Sequence, residues 1–400
     1  MTSSLIPVDE ARARILRFIN PLVREEVQIA EALGRSVTDP IVARRTLPPW
    51  DNSAMDGYAV RSADVGPRSV IEKIFAGDAP KHEVVAGTCA RIMTGAPMPR
   101  GADCVVMQEK TKVLEGGQVE LLEPPTPGLN VRRRGEDIVE GAVLFPAGRE
   151  LGLGDAGALW GQGLERVFVR RRPTVSIVSS GDELCDVGAL VEGKIVDSNS
   201  PVIAAAVRSA GGIPTQVGRA ADSLESASAL FGQGLERDVL ITVAGASVGE
   251  KDFTREALTS LGVEIDFWKV AMKPGKPLAF GRKGDTLVFG LPGNPVSAMV
   301  TFEIFVRPVL RVLQGLAPFP TALPARVAVA IRKQPGLRHF VRATWEVRGK
   351  EIWAIPLASQ SSGALSSASG ATCLIDLPEA SGNAELGNHC ELLPVPWAGA

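Results

Sequence analysis

Two lysines flank a Pro-Gly pair in the segment VAMKPGKPLAFG, which spans residues 270–281. Lys273 and Lys276 are each followed by a proline, which fixes the backbone dihedral φ and removes a hydrogen-bond donor. Cations on so stiff a segment are suited to hold an anion in one position. The pattern therefore predicts an anionic ligand, and a phosphorylated ligand fits it best.

The residues from 173 to 320 alternate between strand and helix patterns. The runs TVSIVSS, DVLITVAG and TLVFGLPG are apolar and β-branched almost throughout, which is typical of strands buried on both faces. Helical patterns such as DSNSPVIAAAVRSAGG separate these runs. This order predicts a central parallel sheet with helices on both of its faces.

The loops that follow the predicted strands are rich in polar residues and glycine. They read SSGDEL, AGASVGEKDF, KPGKP and LPGNP. Ligands of open parallel sheets bind beyond the carboxyl ends of the strands, so we expect all four loops at one edge of the sheet. Any one of these loops alone is more often structural, and only their coincidence at one edge favours a binding site.

The charged side chains at this predicted edge have both signs. They are Asp182, Glu183, Glu250, Asp252, Lys269, Lys273 and Lys276. Clustered carboxylates repel one another unless a cation lies between them. A hard cation such as Mg²⁺ bridges one or two carboxylates to the phosphates of a substrate. The sequence therefore predicts a site for Mg²⁺ and a phosphorylated ligand.

The remaining parts of the chain have other patterns. Helical apolar spacing is found in VDEARARILRFI and VQIAEALG near the amino terminus, and again in GLGDAGALWG. Short alternating runs cut by glycine and proline lie between these helices and again after residue 320, which is typical of β-rich modules. We therefore predict an α/β, multidomain chain. Its parts are a helical domain in two pieces (1–45 and 146–172), an inserted β-rich domain (46–145), a central parallel α/β sheet domain (173–320) and a small C-terminal β domain (321–400).

Composition limits the possible partners. The chain has 400 residues, of which 45% are hydrophobic and 22% charged, and its formal net charge is -2. It has neither the basic field expected for nucleic-acid binding nor an apolar run long enough to span a membrane. The opening segment carries charges inside its apolar pattern, unlike a signal peptide, so we expect a cytoplasmic protein.

The cysteines and histidines do not have the spacing of metal ligands. The five cysteines are scattered without a C-x-x-C pair, which predicts free, buried thiols. The three histidines, His82, His339 and His389, are predicted to be surface or packing residues. Two polar clusters of the β-rich module, at 48–61 and 91–109, fit turns and a binding site equally well.

Seven motifs occur together in a characteristic order. They are DNSAMDGYAVR, RIMTGA, RRGEDI, SSGDEL, SVGEKDFTR, FWKVAMKPGKPLAFG and FGLPGNPVSA. In this respect the sequence resembles the molybdopterin molybdotransferase family, the bacterial MoeA type that is similar to the E domain of gephyrin. The resemblance covers residues 5 to about 390. It implies an elongated, four-part architecture and a homodimer.

The resemblance also implies an activity, a metal and a set of site residues. The family inserts molybdate into adenylylated molybdopterin, with release of AMP and molybdenum cofactor and with help from Mg²⁺. Glu183 and Asp252 correspond to its metal ligands. By the same resemblance, Asp56, Thr94 and Asp137 would complete the catalytic site of the partner subunit. The substrate-binding residues carried over by motif are Asp222, Ser247, Lys269, Lys273, Lys276, Pro292, Pro295, Arg342 and Ser362.

One departure from the family motif leaves alternatives open. The family has a Ser-Gly-Gly turn where this chain has Val243, Ala244 and Gly245, and alanine there restricts the backbone. One alternative is therefore a scaffold or binding protein of the same fold with weakened catalysis. Another is an enzyme acting on a different nucleotide-linked substrate. The predicted partners also include the adenylylating enzyme and the molybdoenzymes that receive the cofactor.

Overall fold

The computed structural model describes residues 5–244, 253–319 and 321–398. Its contacts divide the chain into two compact units. Unit 1 comprises Met1–Thr38, Gly148–Leu151 and Val167–Ala400, and unit 2 comprises Asp39–Ala147 and Gly152–Arg166. The finer five-part division stays a prediction.

The helices lie mainly in unit 1. The described α-helices are α1 Val8–Leu16, α2 Leu153–Gly161, α3 Asn199–Ser209, α4 Leu224–Gly234, α5 Phe253–Ser260, α6 Pro295–Thr301, α7 Arg307–Leu313 and α8 Leu365–Ser369. A π-helix, Phe302–Val306, joins α6 to α7. The helix predicted over GLGDAGALWG is confirmed as α2. The helix predicted over VQIAEALG is wrong, because these residues form the end of a strand and a short 3-10 helix, Ile29–Ala32.

The strands are short in the first half of the chain and longer in the central domain. The first twelve are β1 Arg24–Gln28, β2 Ile41–Val42, β3 Asn52–Ser53, β4 Gly57–Val60, β5 Arg68–Ile74, β6 Thr88–Ile92, β7 Cys104–Met107, β8 Thr111–Val113, β9 Gln118–Leu121, β10 Val131–Arg132, β11 Val143–Phe145 and β12 Arg166–Arg170. The others are β13 Thr174–Ser180, β14 Leu184–Cys185, β15 Ile195–Val196, β16 Ile213–Ala220, β17 Val239–Val243, β18 Glu264–Lys269, β19 Met272–Lys273, β20 Pro277–Lys283, β21 Thr286–Leu291, β22 Leu323–Val327, β23 Arg338–Arg348, β24 Glu351–Pro356, β25 Cys373–Leu377 and β26 His389–Pro394.

The central sheet of unit 1 has the order β16-β13-β17-β21-β20-β18. Its first four strands are parallel, which confirms the predicted parallel sheet, although β16 was not among the predicted strands. The prediction missed β20, which runs antiparallel to both β21 and β18. A two-residue turn, Gly284-Asp285, reverses the chain between β20 and β21, so these two strands form a hairpin.

Alternate residues of the central strands point to opposite faces of the sheet. Ile177 and Ile241 pack in the core that includes residues of α1, α3 and α6. Their neighbours Val178 and Leu240 pack on the other face, in a core that includes residues of α4 and α5. Because both faces are covered, the strands carry apolar residues continuously. The loops at the strand ends are therefore the places where polar residues gather.

The C-terminal strands close into a small barrel. The order is β19-β23-β24-β22-β26-β25, and β25 also pairs with β23. Val327, Val341 and Ile375 fill its interior. Phe340 points to the opposite side of β23 and joins the core of the central sheet. This shared packing couples the barrel to the α/β part within unit 1.

Unit 2 is built around a sheet with the order β7-β4-β6-β5-β9-β8. Ala59, Ile92 and Val105 belong to one small core, and Tyr58 belongs to another. At Gly57 a Cβ atom would lie 2.0 Å from the carbonyl oxygen of Val106, so only glycine fits where β4 approaches β7.

The five cysteines are free, as predicted. Burial raises the pKa of the Cys89 thiol to about 11 and that of Cys104 to about 12. These thiols are therefore protonated at neutral pH and poor nucleophiles.

No helix in the described part of the chain combines the length and the apolar character needed to cross a membrane.

Candidate functional site

A cleft of about 590 Å³ lies beyond the carboxyl ends of β13, β17 and β21. The residues that follow these strands line it together with the first turn of α3, and we call it the rim cleft. Of the predicted site residues, its lining includes Glu183, Asp222, Pro292 and Pro295. The predicted residues Ser247 and Asp252 lie outside the described residues.

Acidic residues occupy one side of the rim cleft. At Gly181, where φ is 139°, a Cβ atom would lie 2.5 Å from Oε2 of Glu183. Glycine is therefore required for the Glu183 carboxylate to fold back over this turn. The backbone N–H of Asp222 donates to Oδ1 of Asp182 at 3.2 Å. This bond brings the Asp182 carboxylate close to Asp222.

The acidic side has no cation of its own among the described residues. Neither Glu183 nor Asp222 forms an ion pair there. The described residues also contain no group of three histidine, cysteine or acidic side chains that could hold a metal. A cation at this side would therefore need further oxygen ligands, which the substrate or solvent can supply.

Residues 292–295, which we call the PGNP loop, form the opposite side of the rim cleft. Hydrogen bonds with two other segments fix the position of this loop. Nδ2 of Asn199, in the first turn of α3, donates to the carbonyl oxygen of Gly293 at 2.7 Å. Nδ2 of Asn294 donates to Oγ of Ser362 at 3.1 Å, and the N–H of Val296 donates to the Ser362 carbonyl oxygen at 3.1 Å. The structure thus brings Ser362, 67 to 70 positions away from this loop in the chain, into contact with the cleft wall.

Arg342 supports the segment that carries Ser362. Its Nη2 donates to the carbonyl oxygens of Ser359 and Ser361 at 3.0 and 3.1 Å. Gln360 binds the backbone of Arg342 through both ends of its amide. This segment therefore has a fixed position relative to β23.

The Arg342 guanidinium is fully buried and incompletely paired. Its exposed fraction is 0%, and its Nε and Nη1 have no hydrogen-bond partner among the described residues. Burial lowers the pKa of this guanidinium. Two unpaired donors on a buried cation are costly to stability, which is typical of a group retained for an anionic ligand.

The three predicted lysines are distributed around the KPGKP turn. Lys269 ends β18 opposite Pro277, which lines the rim cleft. Lys276 is exposed, and its carbonyl oxygen accepts from the N–H of Val270. The lining of the rim cleft does not include the lysines, and Lys273 instead lines a second cavity at the end of the barrel.

The KPGKP turn is rigid because it is packed against a helix. At Gly275, where φ is 98°, a Cβ atom would lie 2.5 Å from Cγ2 of Thr301 in α6. The stiffness predicted from the two prolines thus also depends on a close approach that only glycine allows.

Ala244 directly follows β17 at the rim cleft and has a left-handed conformation. Its φ is 69°, a region that alanine adopts only at a cost of about 1–2 kcal/mol. A Cβ atom on Gly293 would lie 3.3 Å from the Ala244 Cβ, so the methyl group faces the PGNP loop. The departure from the family motif therefore narrows the cleft as well as straining the backbone.

We expect Ala244→Gly to raise the free energy of unfolding by roughly 0.5–1 kcal/mol, because relief of the strain exceeds the added entropy of the unfolded chain. Urea denaturation measures the change. The matched control is Ala221→Gly, at an exposed position of the same cleft with ordinary φ, which should be neutral or destabilising. If Ala244→Gly and Ala221→Gly lower the free energy of unfolding equally, the backbone at Ala244 is not strained.

Two of the predicted residues of unit 2, Asp56 and Thr94, are hydrogen-bonded to each other. The backbone N–H and the hydroxyl of Thr94 both donate to Oδ1 of Asp56 at 2.7 Å. These bonds, the backbone one first, hold the pKa of the exposed Asp56 carboxyl below its ordinary value. Asp56 is therefore an anion with a fixed position. The third predicted residue, Asp137, is exposed, and its N–H donates to the carbonyl oxygen of Leu47.

Three residues that hold the site were missed as functional residues in the sequence. They are Asn199, Asn294 and Gln360, and all three act through amide hydrogen bonds. Asn199 was considered only as a helix cap, and nothing in the local pattern distinguishes the other two from ordinary loop residues. Their role depends on partners distant in sequence.

Comparisons with known proteins cover nearly the whole chain. Three family descriptions match it: the MoeA N-terminal region (domain I and II) over residues 6–163, the probable molybdopterin binding domain over 176–312, and the MoeA C-terminal region (domain IV) over 324–395. The chain is 35% identical over 399 residues to a molybdopterin molybdenumtransferase of Haemophilus influenzae, covering 98% of both proteins. It is 34% identical over 415 residues to one of Bacillus subtilis, covering 98% of this chain and 96% of the relative.

A solved structure has the same fold. The molybdopterin biosynthesis moeA protein from Pyrococcus horikoshii OT3 superposes with a TM-score of 0.85 at 29% identity, covering 98% of this chain and 100% of that one.

Proposed function

The chain belongs to the MoeA family of molybdopterin molybdenumtransferases, and on that premise we propose that it inserts molybdate into adenylylated molybdopterin and releases AMP. Family membership places the protein in molybdenum cofactor biosynthesis. The observation that carries the proposal is the rim cleft, where carboxylates face a loop that Asn199 and Ser362 hold in place. Such a cleft can bind two ligands side by side.

The chemistry requires positive charge near two repelling reactants. Molybdate is a dianion and the adenylylated pterin carries a pyrophosphate, so their approach is unfavourable unless fixed cations offset the repulsion. Arg342 has unpaired donors close to the Ser362 segment, and Lys269, Lys273 and Lys276 surround the neighbouring turn. We assign the lysines to the pyrophosphate. Arg342, with Pro292, Pro295 and Ser362, is assigned to the oxyanion.

A divalent metal fits the acidic side of the rim cleft. Mg²⁺ binds proteins through one or two carboxylates and completes its coordination with water and phosphate oxygens. Glu183 and Asp222 offer such oxygens without a competing cation among the described residues, and the family resemblance adds Asp252 as a further ligand. Bound there, Mg²⁺ would stabilise the charge on the departing AMP.

We also propose a cytoplasmic homodimer with shared sites. The fixed anion formed by Asp56 and Thr94, with Asp137, would serve the rim cleft of the other subunit, as the family resemblance implies. A closed symmetric dimer then contains two equivalent sites. The adenylylating enzyme and molybdoenzymes are the proposed protein partners.

The direct test is AMP release from adenylylated molybdopterin. We expect stoichiometric release when molybdate and Mg²⁺ are both added, and little release when either is omitted or Mg²⁺ is chelated, because the leaving group then lacks stabilisation. Liquid chromatography of the nucleotide measures the result.

The alternatives predict other outcomes of the same experiment. Tight binding of the adenylylated pterin without release would favour the scaffold, for which the strained Ala244 is the supporting observation. Failure to bind it would favour an enzyme acting on a different nucleotide-linked substrate.

A further inference from the structure

A second cavity, of about 570 Å³, opens at one end of the C-terminal barrel. We call it the barrel-mouth cavity, and Lys273, Arg332, Lys333 and His339 contribute to its wall. The short strand β19 pairs in parallel with β23 and so sets Lys273 beside His339. The cavity is thus assembled from the KPGKP turn and the barrel, both within unit 1.

The charge of this wall is strongly positive. Lys273, Arg332 and Lys333 supply three formal positive charges, and none of the described lining residues is a carboxylate. Glu379 lies nearby, where its Oε1 accepts from the N–H of Val8 at the start of α1, and one carboxylate does not offset three cations. Arg332 is exposed and pairs with no carboxylate among the described residues.

Lys333 is positioned by hydrogen bonds that the barrel provides. Its Nζ donates to the carbonyl oxygens of Ser381 and Glu379 at 2.6 and 3.3 Å. Its backbone N–H donates to Oδ1 of Asn383 at 3.0 Å, which leaves the amide NH₂ of Asn383 for another partner. These acceptors are neutral carbonyl oxygens, so they do not offset the charge of the ammonium. Its pKa is lowered by burial.

His339 lies in the same positive field. Burial first, and then Lys273, Lys333 and Arg342, lower the pKa of this imidazole to about 4. The ring is therefore neutral at pH 7, and one of its nitrogens can donate a hydrogen bond. His339 is 8% exposed, which agrees with the packing role that the sequence predicted, and it also forms part of the cavity wall.

The cavity has room for more than a bare inorganic anion. Small-molecule sites typically have volumes of about 300–1,000 Å³, with a few polar groups and some apolar surface. Gln334 and Asn383 supply amides, and Leu337 supplies apolar surface, beside the cationic wall. A tetrahedral dianion can be bound by the cations while an organic group contacts Leu337.

We propose that the barrel-mouth cavity binds a small phosphate monoester, with its phosphate among Lys273, Arg332 and Lys333 and its organic part against Leu337. This site is distinct from the rim cleft, whose lining shares none of these residues. The inference does not depend on the proposed transferase activity. Only Lys273 belongs to both assignments, so the decisive variants are placed elsewhere.

Calorimetric titration of the full chain with inorganic phosphate and with phenyl phosphate tests the proposal. We expect saturable binding of both, with phenyl phosphate the tighter ligand. Arg332→Ala should weaken both ligands roughly fivefold, because one charged donor is lost at an exposed edge. Leu337→Ala should weaken phenyl phosphate selectively. Lys350→Ala, an exposed lysine in the turn before β24, is the matched control and should change neither affinity.

Nuclear magnetic resonance of the histidine side chains gives an independent readout. Phosphate binding should raise the pKa of His339, because the bound anion stabilises the imidazolium, and should leave the signals of His82 and His389 unchanged. The His339→Asn variant identifies the signal. Equal phosphate affinity in the wild type and Arg332→Ala, or a His339 pKa unmoved by saturating phosphate, would overturn the proposal. Glu183→Ala separates the two sites, since it should abolish AMP release and leave phosphate binding intact.

Discussion

Asp56→Ala and Glu183→Ala are each expected to abolish AMP release, and an equal mixture of the two variants is expected to regain about a quarter of the wild-type rate. Half of the dimers in a random mixture are heterodimers, and each of these has one intact site if sites are shared. Asp56 is exposed with Thr94 as its only described side-chain partner, and Glu183 is exposed at the rim cleft, so neither change should unfold the chain.

Two controls accompany this experiment. Glu115→Ala in unit 2 and Glu236→Ala in unit 1 remove exposed carboxylates outside both clusters, and each should leave the rate unchanged. Exchange of subunits is checked by capture of a tagged copy. A mixture that stays inactive although its chains exchange would rule out shared sites. In that case the loss of activity in each single variant would still show that Asp56 and Glu183 are both needed for AMP release.

Arg342→Met is expected to lower AMP release by about 100-fold or more while leaving the free energy of unfolding within about 1 kcal/mol of the wild type. Methionine fills a similar volume, and the serine carbonyl oxygens that lose their donor belong to exposed residues that water can reach. Removing a buried cation with two unpaired donors offsets the loss of those bonds. Urea denaturation and nucleotide release measure the two quantities.

Arg338→Met, on the same strand β23, is expected to have the opposite effects, a loss of stability with little change in activity. Arg338 binds the buried Asp376 through two hydrogen bonds of 2.7 Å and also pairs with Asp9. Its loss leaves a buried carboxylate unpaired, at a cost of about 3 kcal/mol, while turnover per folded molecule should stay near that of the wild type. If Arg342→Met is the more destabilising of the two, Arg342 is a structural residue and its assignment to the oxyanion fails.

Several elements of the fold could be predicted because their signals are local. The strands β13, β17 and β21 are continuous apolar runs, and α2 has clear apolar spacing, so their types follow from short stretches of sequence. The hairpin of β20 and β21 also has a local signal, the Gly284-Asp285 turn between two apolar runs, which the parallel-sheet interpretation overlooked.

The error at VQIAEALG has a different cause. The apolar spacing there fits a helix, but β1 pairs with β12, far away in the chain, and this pairing determines the structure. Propensity is a weak preference that tertiary contacts override. No pattern within residues 24–34 predicts that partner.

The sequence by itself determined the types of the buried parallel strands β13, β17 and β21, the family, and the presence of carboxylates, lysines and rigid turns at the carboxyl ends of the central strands. Only the tertiary structure decided which residues meet: Ser362 contacts the PGNP loop, Arg342 binds the segment before it, and Lys273 joins the barrel mouth. The reason is that strand type depends on neighbouring residues, whereas contacts between distant residues depend on register and packing. Burial is likewise a property of the folded chain. Only the structure shows that Nε and Nη1 of Arg342 are buried without a hydrogen-bond partner among the described residues.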